Sequence, residues 1–390
     1  MNKITLARGR GFRVESGHPW IYNNEIENIV GHPEPAEIVE IYNFKNVFIG
    51  NAYYNPKSQI AARIISRKRN AVIDKAFFRE KLTACKNYRE RIGYKENYRL
   101  VFGDGDLLPG LVIDKFGDYL VLQTLTLGMD SRKTEIIEVL NELFSPKGIY
   151  ERNDVPVRKL EGLEEQKGFL SEPFDTKIII VQDGIKFEVD LNEGQKTGFF
   201  LDQKENKKAL KNIVSGADVL DCFCYTGSFS MAAAFHGAKH VTGLDISEQA
   251  VAQATRNAKL NNVEKICHFK TINTFDYLPQ LIKEEKLFDV IIADPPAFTK
   301  NRAGVESAVR GYKEINLRAM KLLKPGGFLL TFSCSHYMTL ELFFDLIKEA
   351  ANNAGRNIRQ VAQLQQAKDH PILWDVEETF YLKGFLLQIL

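Results

Sequence analysis

Cysteine is scarce: 390 residues hold five, Cys85, Cys222, Cys224, Cys267 and Cys334. The number is odd and no Cys-x-x-Cys pair occurs, so neither a disulfide framework nor a zinc site is supported and reduced thiols are expected. Long apolar runs are missing as well. No stretch is long enough to span a bilayer, and the opening MNKITLARGRGF lacks the apolar core of a signal peptide. The chain is therefore expected in the cytoplasm, with no membrane partner. An excess of charge is also absent, since 52 Lys and Arg face 50 Asp and Glu for a formal charge of +2. Nucleic-acid contact would have to come from local patches. There is no internal repeat or low-complexity tract, and 44% apolar residues suit an ordered chain of two to three domains.

What is present falls into three stretches. Residues 1–70 alternate apolar and polar positions in short runs broken by Gly, Pro and Asn, the pattern of a small β-rich module. Arg8, Arg10, Arg13, Arg63, Arg67, Lys68 and Arg69 cluster toward its two ends, as an RNA-contacting face or as a solvated surface. Residues 71–190 read as a central α+β domain. It has a basic, aromatic-rich helix over about 74–92, a second near 131–144, and a hairpin at Gln182-Asp183-Gly184. The remainder, 191–390, alternates strand and helix strictly from about Leu201. Strands are expected at 218–223, 240–245, 265–270, 288–293, 327–332 and 381–390. Apolar strands separated by helices imply a parallel, Rossmann-like sheet covered on both faces. The fold class is thus multidomain α/β.

The first strand of that sheet runs into Asp221-Cys-Phe223-Cys-Tyr-Thr-Gly227, and the second ends in Asp245. An acidic residue at this offset suits a ribose diol, while the single glycine falls short of the GxGxxG loop that lets backbone approach a pyrophosphate. A nucleoside cofactor without phosphates, S-adenosyl-L-methionine, fits better than NAD. Asp221 would then take the methionine amine, Asp245 the ribose and Asn273 the adenine. The alternative is that the aspartates cap helices and Asn273 is a turn residue.

The fourth strand ends in Asp294-Pro295-Pro296-Ala-Phe298, and the fifth in Ser333-Cys334-Ser335-His336. Loops leaving the carboxyl ends of such strands line one crevice, so a thiol and a carboxylate can meet over one substrate. Asp-Pro-Pro with a following aromatic also serves amino-group methylation and does not decide the acceptor. A thiol does: thiolate addition at carbon 6 of a pyrimidine makes carbon 5 nucleophilic. Cys334 is the candidate nucleophile and Asp294 its partner on the base, with Phe298 a candidate for stacking. A small buried thiol is the alternative for Cys334, and Cys222 and Cys224 are expected to be structural.

With these residues in hand, the chain resembles, nearly end to end, the RlmI family of bacterial 23S ribosomal RNA cytosine-5 methyltransferases. The resemblance is carried by Ser16-Gly-His-Pro-Trp20, Pro56-Lys-Ser-Gln-Ile60, Asp106 to Asp114, Glu193 to Gln203, Asp221 to Phe229, Asp294 to Phe298, Arg310 to Asn316, Ser333-Cys-Ser335 and Tyr381 to Phe385. It implies a PUA-like RNA-binding module first and a class I methyltransferase domain last. It further implies that Cys334 is the nucleophile and that Lys196 to Gln203 close over the cofactor, with Thr197, Gly198, Phe199 and Asp202 touching it. Lys196, Pro295, Arg310 and Tyr312 would lie near substrate, although a packing role for Arg310 and Tyr312 stays open. Relatives often carry aspartate where this chain has Asn273, and no second cysteine stands in the Asp-Pro-Pro loop to aid product release.

The expected activity is methylation of carbon 5 of a cytosine in 23S rRNA, as naked RNA or in a ribosome assembly intermediate, through a covalent cysteine adduct. An RNA base must be unpaired or flipped out to enter such a pocket. Methylation of an exocyclic amine of adenine or guanine, and a non-catalytic RNA-binding assembly factor, are the alternatives. An exposed apolar edge in the first module would support a homodimer.

Overall fold

The computed structural model describes residues 2–299 and 301–390. The chain divides into two compact units. The first comprises 1–178, 189–201 and 368–379, and the second 179–188, 202–367 and 380–390. Among the described residues no helix is long and apolar enough to cross a membrane.

The first unit contains two sheets. One has six strands from residues 3–66, mostly antiparallel, around a core of Ile4, Leu6, Val39, Ile41, Ala52 and Ile64. Its cations do not form one free face. Arg63 is buried and paired with Glu161 at 2.8 Å, Arg13 is held by Glu25 at 3.1 Å, and Arg67 donates to the carbonyls of Val14 and His18. Arg8, Arg10, Arg67, Lys68 and Arg69 are exposed. The expectation of a basic face therefore narrows to Arg8, Arg10, Lys68 and Arg69, because Arg13, Arg63 and the guanidinium of Arg67 supply the counter-charges and donors that buried acceptors need.

The second sheet has five strands from residues 97–169. The helix Lys75–Arg91 begins where the Asp74 carboxylate accepts from the Phe77 N–H. Its Phe78 and Leu82 enter the core with Leu100, Ile113 and Leu122. Arg89, on the same helix, is fully buried and grips Asp106 with both terminal nitrogens. It also donates to the Asp369 carbonyl at 2.7 Å, while the Asp369 carboxylate accepts from the Arg99 N–H. A distant piece of sequence is thereby fixed in this unit by polar contacts rather than by apolar periodicity.

The second unit is built on seven strands. These are β1 (Asp218–Cys222), β2 (His240–Asp245), β3 (Cys267–Thr271), β4 (Phe288–Ala293), β5 (Leu323–Ser333), β6 (Ile358–Gln365) and β7 (Lys383–Ile389). Their order is β3-β2-β1-β4-β5-β7-β6, with β1 to β5 parallel and β7 antiparallel to both of its neighbours. The helices between them are α1 (Ser228–Phe235), α2 (Glu248–Leu260), α3 (Thr274–Lys283), α4 (Val305–Lys321) and α5 (Leu340–Ala354). Leu220, Ile291, Leu329, Ile315 and Phe343 lie in the core between sheet and helices. The order reverses between β1 and β4, so their two carboxyl ends open one crevice. The hairpin at Asp183-Gly184 forms as its sequence predicts: both residues take positive φ, 52° and 82°, the geometry of a tight two-residue turn.

Candidate active site

The loop leaving β1 carries backbone strain. Phe223 and Tyr225 adopt φ of 63° and 47° without being glycine, conformations that persist where surrounding structure holds them. Gly227 has φ 82°, and a Cβ there would stand 3.2 Å from Ala254 and from the Phe269 ring. At the base of the loop Asp221 is wholly buried. Its Oδ2 accepts from the Ser230 hydroxyl at 2.6 Å, and its Oδ1 has no hydrogen-bond partner among the described residues. Burial pushes its pKa up to about 7 against the help of Ser230. A buried carboxylate oxygen without a donor calls for a cationic one, and the amine of S-adenosylmethionine is such a group. The residues present fit the cofactor.

Asp245 ends β2 and is half-buried. Its oxygens accept from the N–H groups of Tyr225 and Ser247 at 2.9 Å each, which aims the carboxylate and leaves lone pairs for hydroxyls. The cap of the next helix is Ser247, not Asp245. Asn273 does cap α3, its Oδ1 accepting from the Phe275 N–H at 2.9 Å. Beside Asp245, Ile246 leaves 73% of its surface exposed, an apolar face that a purine ring would cover and one that sequence patterning did not single out.

At the end of β5, Cys334 is the one partly exposed thiol; the other four are buried. Its Sγ lies 3.8 Å from the Pro295 carbonyl oxygen, inside the Asp-Pro-Pro loop. The Asp294 N–H reaches the Cys222 carbonyl at 3.5 Å, so this loop also borders the cofactor strand. Tyr312 is fully buried on α4, with its hydroxyl 2.9 Å from the Ser335 Oγ. Desolvation raises its pKa, and the charge of Cys334 adds to the rise. The phenol thus braces the thiol loop from beneath.

Two family models match this chain, a PUA-like domain over residues 4–67 and an S-adenosylmethionine-dependent methyltransferase over 164–388. It is 41% identical to the ribosomal RNA large subunit methyltransferase I of Pseudoalteromonas translucida (strain TAC 125), over 99% of each chain. The protein of that name from Klebsiella pneumoniae (strain 342) is 39% identical, covering 100% of this chain and 98% of its own. The chain belongs to the ribosomal RNA large subunit methyltransferase I family. Among solved structures, SMU.776 in complex with SAH shares the fold over 100% of both chains, with a TM-score of 0.86 at 23% identity. S-adenosylmethionine dependence is accordingly a property of the family to which this chain belongs.

The other residues singled out in this family member are dispersed. Asp202 lies in the second unit and accepts from the Tyr381 hydroxyl. Thr197, Gly198 and Phe199 belong to the first unit, where Thr197 is buried and donates to the Asp114 carboxylate. Lys196 takes φ 54° with its Nζ 4.5 Å from the centre of the Phe200 ring. Phe298 turns one side toward Tyr312, ring centres 4.5 Å apart, and packs near Phe275 and Gly311. Arg310 is exposed. Lys383, in the Tyr381 to Phe385 motif, had no role assigned from sequence. It is 2% exposed and donates to the carbonyls of Ser335 and Tyr381, both at 3.1 Å. Only a lysine on a strand facing β5 distinguishes it in sequence, because its surroundings depend on the register of two distant strands.

Proposed function

We propose that the protein methylates carbon 5 of a cytosine in large-subunit ribosomal RNA, with Cys334 as nucleophile. The observation that carries this reading is the partly exposed Cys334 thiol set against the Asp294-Pro295-Pro296 loop. Bound S-adenosylmethionine supplies a methyl group on a positively charged sulfur, which an unactivated pyrimidine carbon does not attack. Cys334 as thiolate forms a bond to carbon 6 and shifts electron density to carbon 5. Asp294, protonated, holds ring nitrogen 3 and accommodates that density. After the new carbon–carbon bond forms, the carbon-5 proton leaves to a base, the carbon 6–sulfur bond breaks and Cys334 returns as thiolate.

Asp221 and Asp245 hold the amine and ribose of the cofactor in this reading, with Phe223 and Gly227 shaping the loop, Asn273 beside the adenine, and Thr197, Gly198, Phe199 and Asp202 contributing further. Arg310 takes a phosphate; Lys196, Pro295, Phe298 and Tyr312 order the substrate side. The relatives' names and the amino-terminal PUA-like match support ribosomal RNA as the partner. The test is incubation of purified protein with labelled S-adenosylmethionine and unmodified 23S rRNA, followed by nucleoside mass spectrometry. Labelled 5-methylcytidine that vanishes in Cys334→Ala is expected. A labelled amino-methylated purine, undiminished in that variant, would remove the thiol from the mechanism.

A further inference from the structure

Lys383 is a lysine whose amine is out of water yet has no carboxylate within ion-pairing distance among the described residues. Its place is set by the sheet. In the antiparallel pairing of β5 with β7, Lys383 lies opposite Ser333, one residue before Cys334. Its Nζ donates to the carbonyl of Ser335, one residue after Cys334, and to that of Tyr381. The residue thus meets both sides of the thiol's position, its backbone opposite Ser333 and its amine on the Ser335 carbonyl. Two carbonyl acceptors satisfy the two N–H bonds of a neutral amine and leave its lone pair unspent; an ammonium has a third N–H to place.

We propose that Lys383 is the positioning and proton-accepting partner of Cys334, holding the pair as thiolate and ammonium. This rests on the proposed thiol mechanism and adds its activation step. The S–H bond of Cys334 breaks, its proton forms a third N–H on Lys383, and the electron pair stays on sulfur. When the carbon 6–sulfur bond later breaks, the thiolate returns to the same ammonium. Because Lys383 already carries its full set of protons at that stage, it is not the acceptor of the carbon-5 proton.

Burial brings the two proton affinities together. Burial lowers the pKa of Lys383 from 10.5 to about 8, with the charge of Cys334 opposing the fall. A value near 8 is close to the 8.5 or so of a free thiol, so the proton passes between groups of similar affinity. The other titratable groups on the segments packed here are Asp294 in the β4 loop, Tyr312 on α4, His336 and Tyr337 beyond Cys334, and Tyr381. Tyr312 is bound to Ser335 and Tyr381 to Asp202. His336 is exposed.

The experiment is alkylation of the full-length protein by iodoacetamide across pH 5.5–10, read as mass added per chain, with Cys334→Ser as the blank. The other four cysteines are buried, so the signal is that of Cys334. The wild-type rate should reach half its plateau clearly below pH 8. In Lys383→Met the midpoint should rise by at least one pH unit, with the rate at pH 7 falling about tenfold. Lys383→Arg, which restores the cation, should bring most of the shift back. S-adenosylmethionine binding by calorimetry confirms that each variant is folded. Superimposable profiles for wild type and a binding-competent Lys383→Met would overturn the proposal, and so would a wild-type midpoint at or above pH 8.5, whatever the variants do. If Cys334→Ala still methylates RNA while the alkylation profile follows Lys383, the thiol mechanism fails and the ion pair stands. The reverse pattern sinks only the role of Lys383.

Discussion

Asp221→Asn should make the protein more stable at pH 8 and a worse binder of its cofactor. In the wild type the folded-state pKa is about 7 against an ordinary 3.8. Between those values the folded chain keeps a proton that the unfolded chain has released, so stability falls as pH rises through the window. The penalty is absent below about pH 4 and complete above about pH 7. At about 1.4 kcal/mol per pH unit it reaches about 4 kcal/mol. Asparagine accepts from Ser230 as the carboxylate does and removes the charge, but it buries an amide N–H with no acceptor, at about 1–3 kcal/mol. The net gain is therefore about 1–3 kcal/mol above pH 7, shrinking and reversing toward pH 5, which corresponds to a few degrees in the unfolding midpoint. Thermal unfolding from pH 5 to 8, following the transition that S-adenosylmethionine shifts, should give curves for wild type and variant that cross. Losing a charge-assisted bond to the amine, at about 1.5–3 kcal/mol, should weaken cofactor binding about 10- to 150-fold at pH 8. Parallel pH profiles, or unchanged affinity, would show that the buried oxygen is not the cofactor's counter-charge.

Gly227→Ala forces a side chain into a φ of 82° and against Ala254 and Phe269; a loss of about 1–3 kcal/mol and weaker S-adenosylmethionine binding are expected from urea midpoints and calorimetry. Asp106→Asn strips the buried Arg89 of its bidentate partner and should cost about 3–5 kcal/mol, seen as a lower urea midpoint; a change under 1 kcal/mol would contradict the pairing. Arg310→Ala should reduce RNA affinity evenly across sequences and lower the slope of log K against log salt by about 1, with S-adenosylmethionine affinity unchanged. An altered cofactor affinity would place this arginine in the wrong site.

The sheet was legible where its strands are apolar on both faces. β2 and β4 span the expected residues, and β1, β3 and β7 differ only at their ends. β6 was missed because Ile358-Arg-Gln-Val-Ala-Gln-Leu-Gln365 is an edge strand with polar residues at half of its positions and no continuous apolar run. β5 starts at Leu323 rather than Gly327, since Lys324-Pro-Gly-Gly327 reads as a turn yet runs into the strand as an irregularity in its register with β4. Within the site, Asp221, Asp245, Asp294 and Cys334 were visible because each ends a recognisable apolar strand. Lys383 and Ile246 were not, because their significance lies in burial and exposure that no local spacing encodes. Arg63 was read as a surface cation, but it is a core residue whose carboxylate partner, Glu161, is distant in sequence.

The placement of β7 between β5 and β6 has a consequence for how the protein comes into being. Synthesis delivers the cofactor loop, the Asp-Pro-Pro loop and Cys334 in order, yet the strand beside Cys334 follows about fifty residues later. A nascent chain that has emerged only through β6 has two long strands, β5 and β6, with no neighbour between them. Such unpaired edges invite association with other chains. Truncation before Lys383 would thus give an aggregation-prone product, and the proposed nucleophile, Cys334, would acquire its amine neighbour only at the last step of sheet closure.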